Sequence, residues 1–262
     1  MNAFYAAFWA EALKARRSAV AWGTAAAFLI LPLVGGLFMV ILKNPEQARA
    51  LGLISLKAQL TGGVADWPTF FSILTQGAAV GGSMVFAFIT AWVFGREFSD
   101  HTAKELLALP TPRTTIVGAK FLLTAPWILG LTLVLFAVAI GIGMAVDIPG
   151  WSLALAWGAL TSLLLTACLL LLLMPFVALA ASAGRGYLPP LGWAFSTVAF
   201  AQIAVVLGWG DWFPWSVPAL ASGMGGAGAQ AVALHSYLMV LLTSFIGVAA
   251  TFVWWQRADQ AR

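Results

Sequence analysis

Six long apolar stretches alternate with shorter polar segments along the chain. Each stretch is near or above the roughly 20 residues that an α-helix needs to cross the hydrocarbon core of a bilayer. The pattern predicts an all-α integral membrane protein with one domain, residues 1–262, and no separate soluble domain. The six predicted transmembrane helices lie at about 19–42, 69–95, 119–146, 151–183, 188–208 and 233–256.

The first 17 residues have a helical pattern of a different kind. Aromatic and small apolar residues form one stripe, and Glu11, Lys14 and Ser18 lie on the opposite side. Such an amphipathic segment, 1–17, is predicted to lie in the membrane interface. The alternative is that these residues are the first turns of a longer membrane helix. The stripe consists of Phe4, Tyr5, Phe8, Trp9, Ala12 and Leu13.

The longest polar segment between two predicted spans, 95–120, contains a short helix signal. Thr102 and Glu105 have the spacing of a capping box, in which the threonine caps the helix and the glutamate reaches back to it. A helix over 103–109 would then end before Pro110. This helix is too short to cross a membrane, so we predict a capped, basic docking element between spans 2 and 3.

Two further segments are predicted to lie on the other side of the membrane. Residues 43–68 are mildly polar and have signals for a short helix, which Pro45 begins and Gly62-Gly63 ends. Residues 209–232 combine three Trp, two Pro and a glycine cluster. This composition predicts a short hairpin or short outer helices in the interface before span 6, followed by a flexible link.

The charged residues lie between the spans. They make up 8% of the chain, against 62% for hydrophobic residues, and the net charge of +4 gives no indication of nucleic-acid binding. Only three of the 13 Lys and Arg residues, Lys43, Arg49 and Lys57, fall on the side away from the termini. Because short cytoplasmic loops carry the excess of Lys and Arg, both termini are predicted to be cytoplasmic.

The spans lack the groups that several activities require. No Asp, Glu, Lys or Arg lies in the middle of a predicted span, which disfavours an ion-coupled carrier. Asp211 follows Gly208-Trp-Gly as in intramembrane aspartyl proteases, but no second carboxylate is available at that depth. His101 and His235 are predicted on opposite sides, so no metal site is expected. Glycine cluster 223–228 lacks the Lys-Ser/Thr of a phosphate-binding loop. The chain is predicted to be no enzyme by itself.

Small and aromatic residues stand out in the second and fifth spans. Gly77 and Gly81 have the GxxxG spacing that permits close helix packing, either within the chain or with a second copy. The aromatic residues suit contact with a lipid-like or amphiphilic molecule, although such residues also face lipid or a protein core. The residues predicted to line a path through the protein are Phe86, Phe88, Trp92, Phe195, Phe200 and Gln202.

The polar segment after span 2 carries a family resemblance. It contains Arg96-Glu97-Phe98, His101-Thr102, Glu105-Leu106-Leu107-Ala108-Leu109-Pro110, Arg113 and Ala119-Lys120. In motifs and topology the chain resembles the type 2 ATP-binding-cassette (ABC-2) exporter permeases. Members commonly show a Glu-Phe, a Gly-Thr, a Leu-Leu-x-x-Pro and an Arg before an Ala-Lys; here His101 replaces the glycine. Phe213-Pro-Trp-Ser-Val-Pro-Ala219 resembles an outer-loop feature of permeases associated with bacitracin or lantibiotic resistance.

The resemblance implies that ATP is bound by one chain and that the membrane is spanned by another. Residues 96–113 would form a cytoplasmic coupling helix that docks in a separate ATP-binding subunit. ATP and Mg would bind to that ATPase, and this chain would hold no cofactor. A second permease chain, identical or paralogous, would face this one across spans 2 and 5. The residues assigned to coupling are Glu97, Phe98, Thr102, Glu105, Leu106, Leu107 and Arg113.

The function implied is that of the permease subunit of an exporter in the bacterial plasma membrane. Its cargo would be an amphiphilic or lipid-like molecule or an antimicrobial peptide, and membrane lipids would surround it. Two alternatives from other classes remain open. The chain could be a membrane sensor or immunity scaffold that binds a peptide or lipid and signals without transport, or, with less support, an intramembrane enzyme.

Overall fold

A computed structural model describes residues 3–44, 64–108, 110–224 and 232–257. Within these ranges, six helices are long and apolar enough to cross a membrane, which confirms the six predicted spans. The helices are α1 (Ala3–Arg17), α2 (Ala19–Lys43), α3 (Trp67–Ser99), α4 (Ala103–Leu107), α5 (Arg113–Ala145), α6 (Leu153–Ala183), α7 (Leu188–Val206), α8 (Val217–Ala221) and α9 (Leu234–Arg257). All but α1, α4 and α8 are the membrane-length helices.

Side-chain caps define where three of the long helices begin. The Ser18 hydroxyl accepts a hydrogen bond from the Val20 amide at the start of α2. Asp66 accepts one from the Thr69 amide at the start of α3, where Pro68 occupies the first turn. Ser152 caps α6 in the same way. These caps satisfy amide groups that have no partner inside the helix.

The central helix of the bundle is α6, which packs against α3, α5, α7 and α9. Its Pro175 lies inside a helix that is continuous from Leu153 to Ala183. The Pro175 carbonyl accepts a hydrogen bond from the Thr251 hydroxyl of α9, 3.3 Å away. Gly247 lets α9 approach closely, because a Cβ at this position would lie 2.9 Å from Pro175 Cβ.

Successive connections between the long helices lie at opposite ends of the bundle. At one end the Arg113 guanidinium donates to the Trp255 carbonyl, 3.1 Å away. At the other end the Lys43 ammonium donates to the Val146 carbonyl at 2.9 Å, and the rings of Trp67 and Trp151 are 4.7 Å apart. The helices therefore cross the bundle in alternation, while the side on which the basic segments lie stays a prediction. We call the first end, which holds α1, α4 and the end of α9, the coupling end.

The segment before α9 contains short helices, as predicted. Two 3₁₀ turns, Gly210–Trp212 and Pro214–Ser216, lead into α8. The Ser236 hydroxyl at the start of α9 donates to the Asp211 carbonyl at 2.8 Å, and this bond attaches the segment to α9. The predicted flexible link and the short helix predicted within 43–68 fall mainly on 225–231 and 45–63, outside the described residues.

The small residues of α3 pack within the chain. A Cβ on Gly77 would lie 2.3 Å from Leu31 Cδ1, so this glycine admits α2. A π-helical turn, Ala78–Gly82, follows it. A Cβ on Gly81 would meet nothing within 4 Å. The close approach predicted from the GxxxG spacing is therefore an intramolecular one at Gly77, while Gly81 faces open space.

Candidate functional site

Helix α1 turns its polar side towards the protein. Glu11 is 5% exposed and Ala15 is buried beside it, whereas Tyr5 and Trp9 on the aromatic stripe are each 55% exposed. The helix packs mainly against α5. A break at Ser18 separates it from α2, so it is not the first turns of a longer helix. Tyr5 and Trp9 are exposed enough to contact lipid, whereas Phe8 packs against the core of the protein. The position of the helix in the membrane interface stays a prediction.

Lys120, in the second turn of α5, is the most deeply buried charge among the described residues, with 0% exposure. Its ammonium lies 2.9 and 3.0 Å from the two carboxylate oxygens of Glu97, near the end of α3. It also donates to Glu11 Oε2 at 3.2 Å and to the Val93 carbonyl at 2.6 Å. One ammonium group therefore joins α1, α3 and α5.

Lys14 completes a cluster of two acids and two bases. Its ammonium lies 2.7 Å from Glu11 Oε1 and 3.0 Å from Glu97 Oε1. Burial by itself lowers the pKa of Lys14, but the carboxylates of Glu11 and Glu97 outweigh this and raise the pKa above its ordinary value. We call Glu11, Lys14, Glu97 and Lys120 the ion cluster. Its formal charge is zero, as deep burial requires.

Because the cluster is buried, removing one of its members should cost more free energy than breaking an ion pair on the surface. Desolvation offsets much of the attraction within a buried ion pair, so the intact cluster adds little net stability. Removing one member leaves an unpaired buried charge, which typically costs about 3–5 kcal/mol. An arrangement of α1, α3 and α5 that separated one of these charges from its partners would therefore carry this cost.

The capping box predicted at the start of α4 does not form, although Thr102 is the N-cap residue as predicted. The Thr102 side chain makes no capping hydrogen bond. Its amide donates to the Glu97 carbonyl at 2.9 Å, and the His101 amide donates to the Phe98 carbonyl at 3.3 Å. These two bonds form a Schellman motif, which ends α3. The following helix, α4, is also shorter than predicted and ends at Leu107, while Leu109 lies outside the described residues.

His101 occupies the position of this motif that favours glycine. Its φ is +58°, in the left-handed region that costs an L-residue about 1–2 kcal/mol. The tight turn is thus kept although histidine replaces the family's usual glycine. We expect His101→Gly to raise stability by about 1 kcal/mol, measured as an upward shift of the thermal midpoint. Asp147→Gly, at an equivalent turn with φ of +54°, serves as the matched comparison. A lower midpoint for His101→Gly would show that the imidazole itself stabilises the turn.

The other coupling residues contact different neighbours. The Phe98 ring lies 6.0 Å from Trp254 and 5.9 Å from Trp255, at the end of α9. Arg113 also binds α9, through the Trp255 carbonyl. Thr102, Glu105 and Leu106 line a cleft of about 360 Å³ that has Lys14 and Glu97 on its other side. Of Leu107 the structure describes the backbone only.

The predicted path residues divide into two groups. Phe86 is 1% exposed and packs on Phe28 with ring centroids 5.3 Å apart, inside the chain's own core. Trp92 is also buried, against Trp127. Phe88 and Phe195 instead line one cavity between α2, α3 and α7. Phe200 and Gln202 are exposed further along α7.

Glu11, Lys14 and Lys120 are functional candidates that sequence reasoning missed. Their pairing joins residues 109 positions apart, and no local pattern indicates which carboxylate meets which ammonium. The available signal was the spacing of Glu11 and Lys14, which places both on the face of α1 away from the aromatic stripe. The structure shows in addition that the charges on this face are paired and largely buried.

The fold is that of a multi-pass membrane protein whose coupling end is organised around the ion cluster. Residues 7–202 match the family described as ABC-2 family transporter protein. The chain belongs to this family of ABC transporter permeases, which confirms the resemblance seen in the segment after span 2. It is 25% identical to the bacitracin transport permease protein BCRB of Bacillus licheniformis over 182 residues, which cover 68% of this chain and 85% of the relative. No solved structure matches the chain.

Proposed function

We propose that this permease is the membrane subunit of an exporter that a separate cytoplasmic ATPase drives. The observation that supports the proposal most strongly is the ion cluster, which ties α1, α3 and α5 together directly beside α4. A force applied to α4 would reach three helices through Lys120. Glu97, at 3% exposure, would act inside the protein and not by touching the ATPase.

The exposed part of the coupling end is the proposed dock for the ATPase. Lys104 and Glu105 on α4 are exposed and offer one charge of each sign. Phe98 and Arg113 anchor the two ends of this loop to α9. Motion of α4 would therefore reach α9 as well as the ion cluster. ATP and Mg would be held by the partner ATPase.

The proposed cargo is an amphiphilic molecule or an antimicrobial peptide. The relative's name assigns bacitracin transport to that protein. In this chain, the supporting observation is the apolar cavity at Phe88 and Phe195, which opens between three spans. A second permease chain, identical or paralogous, would complete the path.

Vectorial transport tests the proposed function. The permease is reconstituted with its ATPase in proteoliposomes, with bacitracin as one cargo and a fluorescent phospholipid as another. We expect ATP-dependent movement of at least one of them, and faster ATP hydrolysis when it is present. Stimulated hydrolysis without movement of either molecule would support the sensor and contradict the exporter.

The proposed orientation has its own test. In a Cys168→Ser background, cysteine at Asp211, exposed before α8, should react with an impermeant thiol reagent added outside intact cells. Cysteine at Ala108, exposed after α4, should react only after the cells are opened. We expect this contrast because the basic segments stay in the cytoplasm. The reverse pattern of labelling would contradict the orientation.

A further inference from the structure

A basic cavity lies at the coupling end, between α1, α3 and the connection from α6 to α7. Its volume is about 500 Å³. Lys14, Arg17 and Arg96 line it together with one carboxylate, Asp100. Ser18 and Tyr187 are further polar residues of the lining. Lys14 is already neutralised within the ion cluster and Arg96 is paired with Asp100, so Arg17 gives the cavity the net positive charge that suits an anionic group.

Two of the three cations keep hydrogen-bonding capacity. Arg17 makes no hydrogen bond or ion pair with any residue in the described ranges. Arg96 donates from Nε to Asp100 Oδ2 at 3.2 Å and stacks over the Trp92 ring at 5.0 Å. Its Nη1 atom has no hydrogen-bond partner in the part of the chain that the structure describes. Arginine N–H groups that have no hydrogen-bond partner can donate to the oxygens of a phosphate group.

An apolar groove of about 290 Å³ lies deeper in the bundle, between α2, α3 and α7. It is lined by Gly23, Thr24, Ala27, Met84, Phe88, Leu191 and Phe195, among others. Phe88 is 39% exposed and Phe195 65% exposed, so the groove is open along its side. No charged residue lines it. Its chemistry suits a hydrocarbon chain.

The basic cavity and the apolar groove lie on the same helix faces. On α3, Phe88 lines the groove, Trp92 and Arg96 line the cavity, and the three follow one another at four-residue spacing. On α7, Leu191 in the groove lies one turn beyond Tyr187 in the cavity. At 1.5 Å per residue, Phe88 and Arg96 are about 12 Å apart along the helix. A molecule with an anionic head and an apolar chain could occupy both.

We propose that the cavity and groove together bind an anionic lipid from the inner leaflet. The phosphate lies among Arg17, Arg96 and Lys14, and an acyl chain lies between Phe88 and Phe195. One part of this inference rests on the proposed function, namely that the site is the place where cargo enters. The unpaired Arg17 and Arg96 Nη1 beside the groove favour an anionic lipid as its occupant, because an apolar helix face laid over the groove would offer them no anionic partner.

Binding is measured on the delipidated permease alone, in a neutral detergent, with radiolabelled phosphatidylglycerol. We expect phosphatidylglycerol to bind at least tenfold more tightly than phosphatidylcholine, because the arginines select net negative charge. Arg17→Gln and Arg96→Gln should each weaken binding by about tenfold, the effect of losing one charged hydrogen bond. Arg257→Gln removes an exposed arginine at the same end of the bundle, outside the cavity, and should have no effect.

A second set of variants tests the groove. Leu191→Trp should fill it and weaken binding of phosphatidylglycerol by at least tenfold. Leu238→Trp, at a position 55% exposed on α9, is the matched control and should bind normally. Glycerol 3-phosphate, which has the head but no chain, should not compete at equal concentration.

Four results would overturn the inference. They are equal binding of the two phospholipids, full competition by glycerol 3-phosphate, the same loss with Arg257→Gln, or crosslinking of Phe195→Cys between two copies that added lipid does not reduce. No ATPase is present in these measurements, so failure of export in proteoliposomes and failure of lipid binding are seen separately.

Discussion

Lys120→Met is expected to destabilise the coupling end by about 3–5 kcal/mol, the usual cost of removing one partner from a buried ion pair. The substitution keeps most of the side chain's length but leaves Glu97 and Glu11 to share the single ammonium of Lys14. A buried net charge of −1 results. For a chain of this size the thermal midpoint should fall by roughly 10 °C.

The double variant Lys120→Met/Glu97→Leu separates lost charge pairing from lost packing. It removes one charge of each sign and leaves Glu11 and Lys14 paired within α1. Replacing a buried pair with apolar residues is often neutral or stabilising. We therefore expect the midpoint to return to within a few degrees of the original protein. Lys43→Met, at the opposite end of the bundle, is the matched control for removing a lysine.

Thermal unfolding in detergent, followed by near-ultraviolet circular dichroism, measures these effects. If Lys120→Met unfolds at the same temperature as the original protein, the ion cluster is not the structural link described above. If the double variant is as unstable as the single one, the ammonium group contributes through its bond to the Val93 carbonyl and not through the carboxylates.

Gly95→Ala is expected to have the second-largest effect, about 1–3 kcal/mol of destabilisation. A Cβ at this position would lie 2.9 Å from the carbonyl oxygen of Gly186 and 3.2 Å from its carbonyl carbon. Both are backbone atoms, so relief requires the connection between α6 and α7 to move away from α3. The expected result is a lower thermal midpoint and faster proteolysis between 184 and 187.

Gly130→Ala is the matched control for this substitution. A Cβ on Gly130 would meet no atom within 4 Å. Alanine also favours the helical state over glycine by up to about 1 kcal/mol. We expect this variant to be as stable as the original protein or slightly more so. Equal stability of Gly95→Ala and Gly130→Ala would contradict the close contact at Gly95.

The sequence predicted the fold well because its main signals are local. Apolar length determined the six spans, and the aromatic stripe of α1 indicated a separate helix before them. The short helix after α3 was predicted in the right place, with Thr102 as its N-cap residue, but the predicted capping hydrogen bonds are not formed. A Thr-x-x-Glu spacing is compatible with a capping box, and the backbone of α3 used the Thr102 amide first.

The ion cluster could not be predicted from the sequence because it depends on packing between distant segments. From the sequence, Lys120 is one of ten basic residues on the predicted cytoplasmic side. In the structure it is fully buried and neutralised by Glu97 and Glu11. The same limit applied to the aromatic residues. Phe86 and Phe88 are two positions apart, and only the packing shows that the first belongs to the core and the second to an open groove.

The most direct test of the central claim is the number of cargo molecules moved per ATP hydrolysed, in proteoliposomes that contain the permease and its ATPase. It is measured for the original protein, for Lys120→Met/Glu97→Leu and for Lys43→Met. We expect the double variant to hydrolyse ATP but move far less cargo per ATP, because no ion pair then links α1 to α3 and α5. Lys43→Met should match the original protein. An unchanged ratio in a stably folded double variant would contradict a coupling role for the ion cluster.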